Sequence, residues 1–236
     1  MIHFSVDDTI EVFHFLTKNN PTSIFEHPKL KFFRTLHNEH NFIVSMYCFY
    51  EQDDFNLSMC PDKYKNEFEE NSSWLKFGFH ALGETTKYGN TDAETFIGDL
   101  IKTVDNLKRI VSESAVTYDV RLGFGQGNKN CIKTMKECFD KFNVLYGVDD
   151  NRIIYYLSAE ENDRYLDKGE FYDESIGITI KHCMRRLECS TEFEETVKTL
   201  EEDKFYSFFT HESSMKSERV LEYIKILCLS GQKFIA

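Results

Sequence analysis

Residues 42 to 50, FIVSMYCFY, form a near-continuous apolar run. A strand with one wet face alternates apolar and polar side chains, so an unbroken run is the pattern of a strand buried on both faces, as in parallel sheets covered by helices. Trp74 to Leu82 repeats that character. Between such runs lie segments of helical periodicity: residues 9–19, with Ile10, Phe13 and Leu16, and Thr91 to Ser112, with Phe96, Leu100, Val104 and Leu107 on one stripe. Further strands are expected at residues 2–6, 119–124, 144–148, 153–157, 177–180, 206–209 and 233–235, and further helices at 128–142, 191–202 and 217–229. Strands separated by helices pair in parallel through right-handed crossovers. The order predicts an α/β fold, a distorted (β/α) barrel of about seven strands with parallel pairing.

With 236 residues and 41% apolar content, the chain can bury one large core, and no linker-like tract divides it, so a single domain over 1–236 is expected. Forty acidic against 28 basic residues give a formal net charge of -12. Such a surface repels phosphates and anionic headgroups, which argues against nucleic acid and membrane partners. The seven cysteines are an odd number without a C-x-x-C pair, which fits free thiols in a reducing compartment. With a strand beginning almost at Met1, and no apolar run near the roughly 20 residues of a membrane helix, a cytoplasmic protein is expected.

In a barrel of this kind, chemistry gathers where strands end. Asp7, Asp8, His80, Arg121, Asp149 and His211 all fall at expected strand C-termini. Adjacent carboxylates on a regular strand point to opposite sides, but at a strand end the geometry relaxes. One of Asp7 and Asp8 can then ligate a metal while the other accepts a proton. Taken singly, each residue has a plainer explanation. Asp7-Asp8 would suit a turn and helix cap, His80 a hydrogen-bonded core position, and Gly123 to Gly127 a close-packed turn rather than a phosphate loop. Met184 to Glu188 could place Arg186 and Glu188 in the site, with a structural ion-pair element as the plainer reading, and Glu192 to Glu202 reads as a solvated helix face. Tyr47, Phe49, Tyr50, Trp74 and Tyr88 could line a groove near the strand ends, with packing in the core the plainer reading for most of them. The joint order of the acids and histidines favours a site.

SVDD on the first strand, FGFHALGE after a middle strand, Arg121 in VRLGFGQGN and FFTHE near the C-terminus resemble the ordered motifs of the polysaccharide deacetylases, the NodB-homology group of carbohydrate esterases. The resemblance spans nearly the whole chain and implies metal-dependent removal of acetyl groups from sugars. It assigns Asp7 as general base, Asp8 as first metal ligand, His80 as the first histidine of a His-x-x-x-His ligand pair, Arg121 as the residue orienting the base and His211 as general acid. Asp149 or Asp150 would match the acid that steadies that histidine. Thr9 stands where the family has glycine, Glu84 where it has the second ligand histidine, and the Arg121 segment lacks the usual proline and aromatic residue.

Asp8, His80 and Glu84 would then form a two-oxygen, one-nitrogen set for a divalent metal, zinc first, with Mn or Co also accommodated. The expected partner is an acetylated sugar or related small molecule. Two other readings stand beside it: an inactive protein of the same fold that binds a glycan or a partner, and a hydrolase of other non-peptide C–N bonds.

Overall fold

The computed structural model describes residues 1 to 236. Nine strands and eight helices position the site: β1 Ile2–Thr9, β2 Val44–Phe49, β3 Leu75–Ala81, β4 Val144–Tyr146, β5 Glu170–Asp173, β6 Ile178–Lys181, β7 Arg185–Arg186, β8 Tyr206–His211 and β9 Phe234–Ile235, with α1 Glu11–Asn19, α2 Pro28–His40, α3 Lys65–Glu70, α4 Ala93–Val111, α5 Lys129–Cys138, α6 Ala159–Lys168, α7 Phe193–Lys198 and α8 Glu218–Leu229. Strands β3, β2, β1, β8 and β7 pair side by side, all in parallel, and β9 adds to the start of β1. From β3 the ring continues through the extended segment 116–120, which bridges Phe77 at Val116 and Leu145 of β4 at Val120. Strand β4 pairs with β6, and β6 runs on through three residues into β7 beside β8. The circuit is that of a distorted parallel barrel. Rings from strands that are not neighbours meet inside it, as where His3 of β1 stacks on Tyr146 of β4 at 3.8 Å between centroids.

One apolar cluster runs from Ile2 to Phe234 between the strands and the helices. The outward residues of β1, Ile2, Phe4 and Val6, are fully buried beneath helices, while the alternate positions His3, Ser5 and Asp7 are buried polar residues. Helix α4 follows from its sequence: Asp92 accepts the Thr95 N–H as N-cap, and Phe96, Leu100, Val104 and Leu107 form the buried stripe.

Several expectations are corrected. Residues 153–157 form no strand, because Ile153 is exposed and Tyr155 adopts φ 52°, which ends extended backbone there. Of 119–124 only Val120 makes a bridge, and Gly123–Gly125 is a 3-10 turn. Gly125 has φ 64°, and a Cβ there would lie 2.9 Å from Val148, so the glycine-rich stretch is a close-packed turn. The helix expected over 128–142 stops at Cys138, and the one over 191–202 is confined to Phe193–Lys198. Pairing is not wholly parallel: β5 and β6 are antiparallel, as is a short hairpin of 51–52 with 55–56.

Candidate active site

The strand ends converge on a cavity of about 250 Å³. Asp7, Asp8, His80, Glu84, Arg121, Asp149 and His211 all line it, together with Arg152 and Arg186. The parallel register sets Asp7 of β1 beside His211 of β8. Asp8 reaches the same cavity because the β1–β2 register shifts between Val6 and Thr9 and Asp8 itself adopts φ 59°. Left-handed backbone is costly for a residue with a Cβ and persists where the surroundings enforce it. The relaxed strand end therefore turns both carboxylates inward.

Two acid–base units face each other here. In the first, Arg121 Nε donates to Asp7 Oδ2 at 2.5 Å, with Asp7 2% and Arg121 3% exposed, and Ser5 Oγ donates to Asp7 Oδ1. The guanidinium also lies 3.7 Å from the centroid of the Phe209 ring. Burial opposes its charge, and Asp7 outweighs burial and raises its pKa. In the second, the Nδ1–H of His211 donates to Glu188, which also accepts from Thr210 Oγ1 at 2.8 Å. Burial disfavours the imidazolium, but the Glu188 hydrogen bond and the charges of Asp7 and Asp8 prevail, so His211 titrates above its ordinary value. For Glu188, burial raises the carboxyl and the His211 bond overcomes it, holding the group below the usual carboxylate range.

The acid that steadies His211 is thus Glu188, not Asp149 or Asp150. Asp150 is bound by Arg152 at the surface. Asp149 accepts the Arg186 backbone N–H at 3.2 Å and lies 4.0 Å from its Nε, so Arg186 and Asp149 pair with each other on the cavity wall. The Met184 to Glu188 segment enters the site through its pairing with β8, rather than standing apart as a structural ion pair.

His80 Nδ1 donates to the carbonyl of Arg121, which leaves Nε2 facing Asp8 Oδ1 at 3.1 Å. Those two atoms can share a proton or, as lone-pair donors, a cation. The backbone bond at the far nitrogen is the support that metal-ligating histidines have. Burial works to raise the Asp8 carboxyl, and the hydrogen bond and charge of His80, with His211 and Arg121 behind, keep it below its ordinary value. Asp8 and His80 therefore fit a divalent cation as two protein ligands. The expected third does not join them: no group of three His, Cys, Asp or Glu side chains is placed to hold a metal ion. Glu84 is exposed on the loop beyond β3, where the chain turns from Gly83 to Thr86 instead of winding back over His80.

Of the aromatic candidates, only Phe49 lines the cavity; Tyr47, Tyr50, Trp74 and Tyr88 are core residues. Phe209 and Phe124 take that role instead. Phe124 stands three residues after Arg121 and is 43% exposed at φ 61°, so the Arg121 segment does carry an aromatic side chain at the rim.

No family model and no curated protein matches the chain. Solved structures do. A family 4 acetyl xylan esterase from Clostridium thermocellum, in complex with a cobalt ion, has TM-score 0.54 at 9% identity, covering 99% of this chain and 86% of the other. A candidate polysaccharide deacetylase from Mycobacterium smegmatis has TM-score 0.54 at 10% identity, covering 96% and 83%. A mutant of a CE4 family pseudoenzyme, with restored enzymatic activity, has TM-score 0.50 at 10% identity, covering 99% and 64%. The chain has the fold of the family four carbohydrate esterases, the polysaccharide deacetylases.

Proposed function

We propose that this chain is a hydrolase that removes acetyl groups from a carbohydrate or related acetylated small molecule, with Asp7 as general base and His211 as general acid. One observation carries the reading. Asp7 held by Arg121 and His211 held by Glu188 stand side by side at the ends of β1 and β8, facing one cavity. Hydrolysis of an acyl group needs one proton taken from water and one delivered to the leaving amine or alcohol. Arg121 fixes Asp7 through Oδ2, and Oδ1, which takes only the long 3.4 Å bond from Ser5 Oγ, keeps a lone pair to accept the water proton. Glu188 fixes His211 through Nδ1, so its Nε2–H is the one that can reach the leaving group, and the Glu188 hydrogen bond with the nearby aspartate charges favours the protonated ring.

Asp8 and His80 are the residues that would hold a divalent cation, with Mn or Co suiting the mixed oxygen and nitrogen donors as well as Zn. Such a cation, when bound, supplies Lewis-acid polarisation of the acyl carbonyl and a lowered pKa for water. Phe124, exposed at the rim, offers an apolar face to the substrate, and Asp149 and Arg186 offer polar contacts at the wall.

The absence of a three-ligand metal group favours a second reading, a catalytically silent protein that binds a glycan in this cavity. A panel of N- and O-acetylated sugars, acetylated polyamines and cyclic amides, assayed with added Zn, Mn or Co, separates the readings. Acetate release from the sugars supports the proposal. Turnover confined to the other amides moves the function to C–N hydrolysis, and sugar binding without turnover establishes the silent reading.

A further inference from the structure

Helix α1 begins three residues after Asp8, yet its own segment does not cap it: the residue at the N-cap is Ile10, whose side chain accepts no hydrogen bond. Its first N–H groups are satisfied from the other end of the chain. Ile10 and Glu11 donate to Glu212 Oε2 at 2.8 Å each, and Val12 donates to Oε1 at 3.2 Å. Glu212 directly follows His211 and is 3% exposed. Lys29 Nζ lies 3.5 Å from its Oε1 and bonds Glu11 as well. A buried carboxylate is a costly way to finish a helix, since an Asp, Ser or Thr at the N-cap does so at the surface.

Its location gives the reason. The β1–β8 ladder ends at the Asp7–His211 pair, and the next residue, Asp8, carries the left-handed φ of 59°. Nothing in the ladder holds the backbone beyond that point against β8. Glu212 takes over there, tying the residue after the acid to the residues after the two aspartates. Both lone-pair edges of its carboxylate are used, so α1 is fixed in position and direction as well as capped.

We propose that Glu212 is a positioning residue for the site: by holding Ile10, Glu11 and Val12 it fixes Asp8 in left-handed backbone and keeps both aspartates in register with His211. This deepens the hydrolase reading and rests on it for its kinetic part only. The test compares Glu212→Ala, Glu212→Gln and, as a control buried in α2 away from the site, Leu36→Ala. In Glu212→Ala, the amides of Ile10, Glu11 and Val12 exchange about ten- to a hundred-fold faster by NMR, Asp8 leaves φ > 0° in the crystal structure, and kcat falls while KM changes little. Glu212→Gln keeps an acceptor oxygen and recovers part of each change. Leu36→Ala loses stability without them. Should the alanine variant not fold, faster exchange of at least one of the three amides in Glu212→Gln is required instead. Asp8 staying at positive φ beside His80 in Glu212→Ala, three protected amides in Glu212→Gln, or the same changes in Leu36→Ala would overturn the proposal. If the wild type releases no acyl group, the hydrolase reading fails while the exchange and structural results still decide the role of Glu212.

Discussion

Arg121→Met removes the guanidinium while keeping an unbranched apolar stem in its place. Arg121 and Asp7 are 3% and 2% exposed and joined by a 2.5 Å bond, so the variant leaves a carboxylate buried without its partner. Breaking a buried ion pair on one side costs about 3–5 kcal/mol. The lost contact of the guanidinium with the Phe209 ring, at 3.7 Å, adds about 0.5–2 kcal/mol, which a methionine–aromatic contact of about 0.3–1.5 kcal/mol largely offsets. A net loss of about 3–5 kcal/mol corresponds to a fall in Tm of roughly 6–20 °C for a chain of this length. Urea denaturation at pH 7, with Tm as a second readout, measures it. Asp7→Asn combined with Arg121→Met should cost clearly less than the sum of the single changes, because the double variant buries no unpaired charge. A loss below about 1 kcal/mol for Arg121→Met, or strict additivity, would show that the pair does not carry the electrostatic weight that its burial implies.

Glu188→Gln weakens the fold most at weakly acidic pH. The stabilisation from His211, whose pKa is raised from 6.5, is fully present below that ordinary value and is lost as pH rises through the folded value. The contribution of Glu188, lowered from 4.5, is present above its ordinary value and is lost as pH falls through the folded one. The stability gap to wild type should therefore be widest between those two ordinary values and narrow on both sides; a gap independent of pH would contradict the pairing. For the metal, calorimetric titration with Mn or Zn should lose binding in Asp8→Asn and His80→Ala and retain most of it in Glu84→Ala, since Glu84 stands outside the pair; equal loss in all three would restore Glu84 as a ligand. Gly147→Ala places a Cβ 2.1 Å from the hydroxyl of fully buried Tyr165, and should destabilise the fold by about 1–3 kcal/mol in thermal denaturation; an unchanged Tm would mean that Tyr165 moves freely.

Much of this was legible in the sequence where local pattern and tertiary demand agree. The runs at 42–50 and 74–82 become β2 and β3 because a strand buried on both faces leaves no room for polar residues. The acids and histidines were placed together because strand ends in a parallel barrel share one face. The misses have specific causes. Residues 153–157 are apolar because Ile154 and Leu157 pack into the core from a turn, and a buried turn draws on the same residue types as a strand. Helix α6 carried a visible signal, the capping box of Ser158 and Glu161, ahead of a segment otherwise too polar to show a stripe. Glu188 was legible as a candidate of the site but not as the partner of His211, and Glu212 was hidden altogether, for another reason. Their partners, His211 and Ile10 to Val12, are brought to them by strand pairing rather than by spacing. Glu84 was carried over from the His-x-x-x-His spacing of the resemblance, and here the four residues after His80 run past a strand end into a loop that leaves Glu84 exposed.

Acetate release from N- and O-acetylated sugars by the wild type, Asp7→Asn and His211→Ala, each with added Mn, Co or Zn, tests the proposed chemistry at its centre. Turnover by the wild type that falls by about 10²–10⁴-fold in either variant, with cation affinity nearly unchanged in His211→Ala, is the predicted result. Wild-type release that persists in both variants, or no release under any of the three cations, would contradict it.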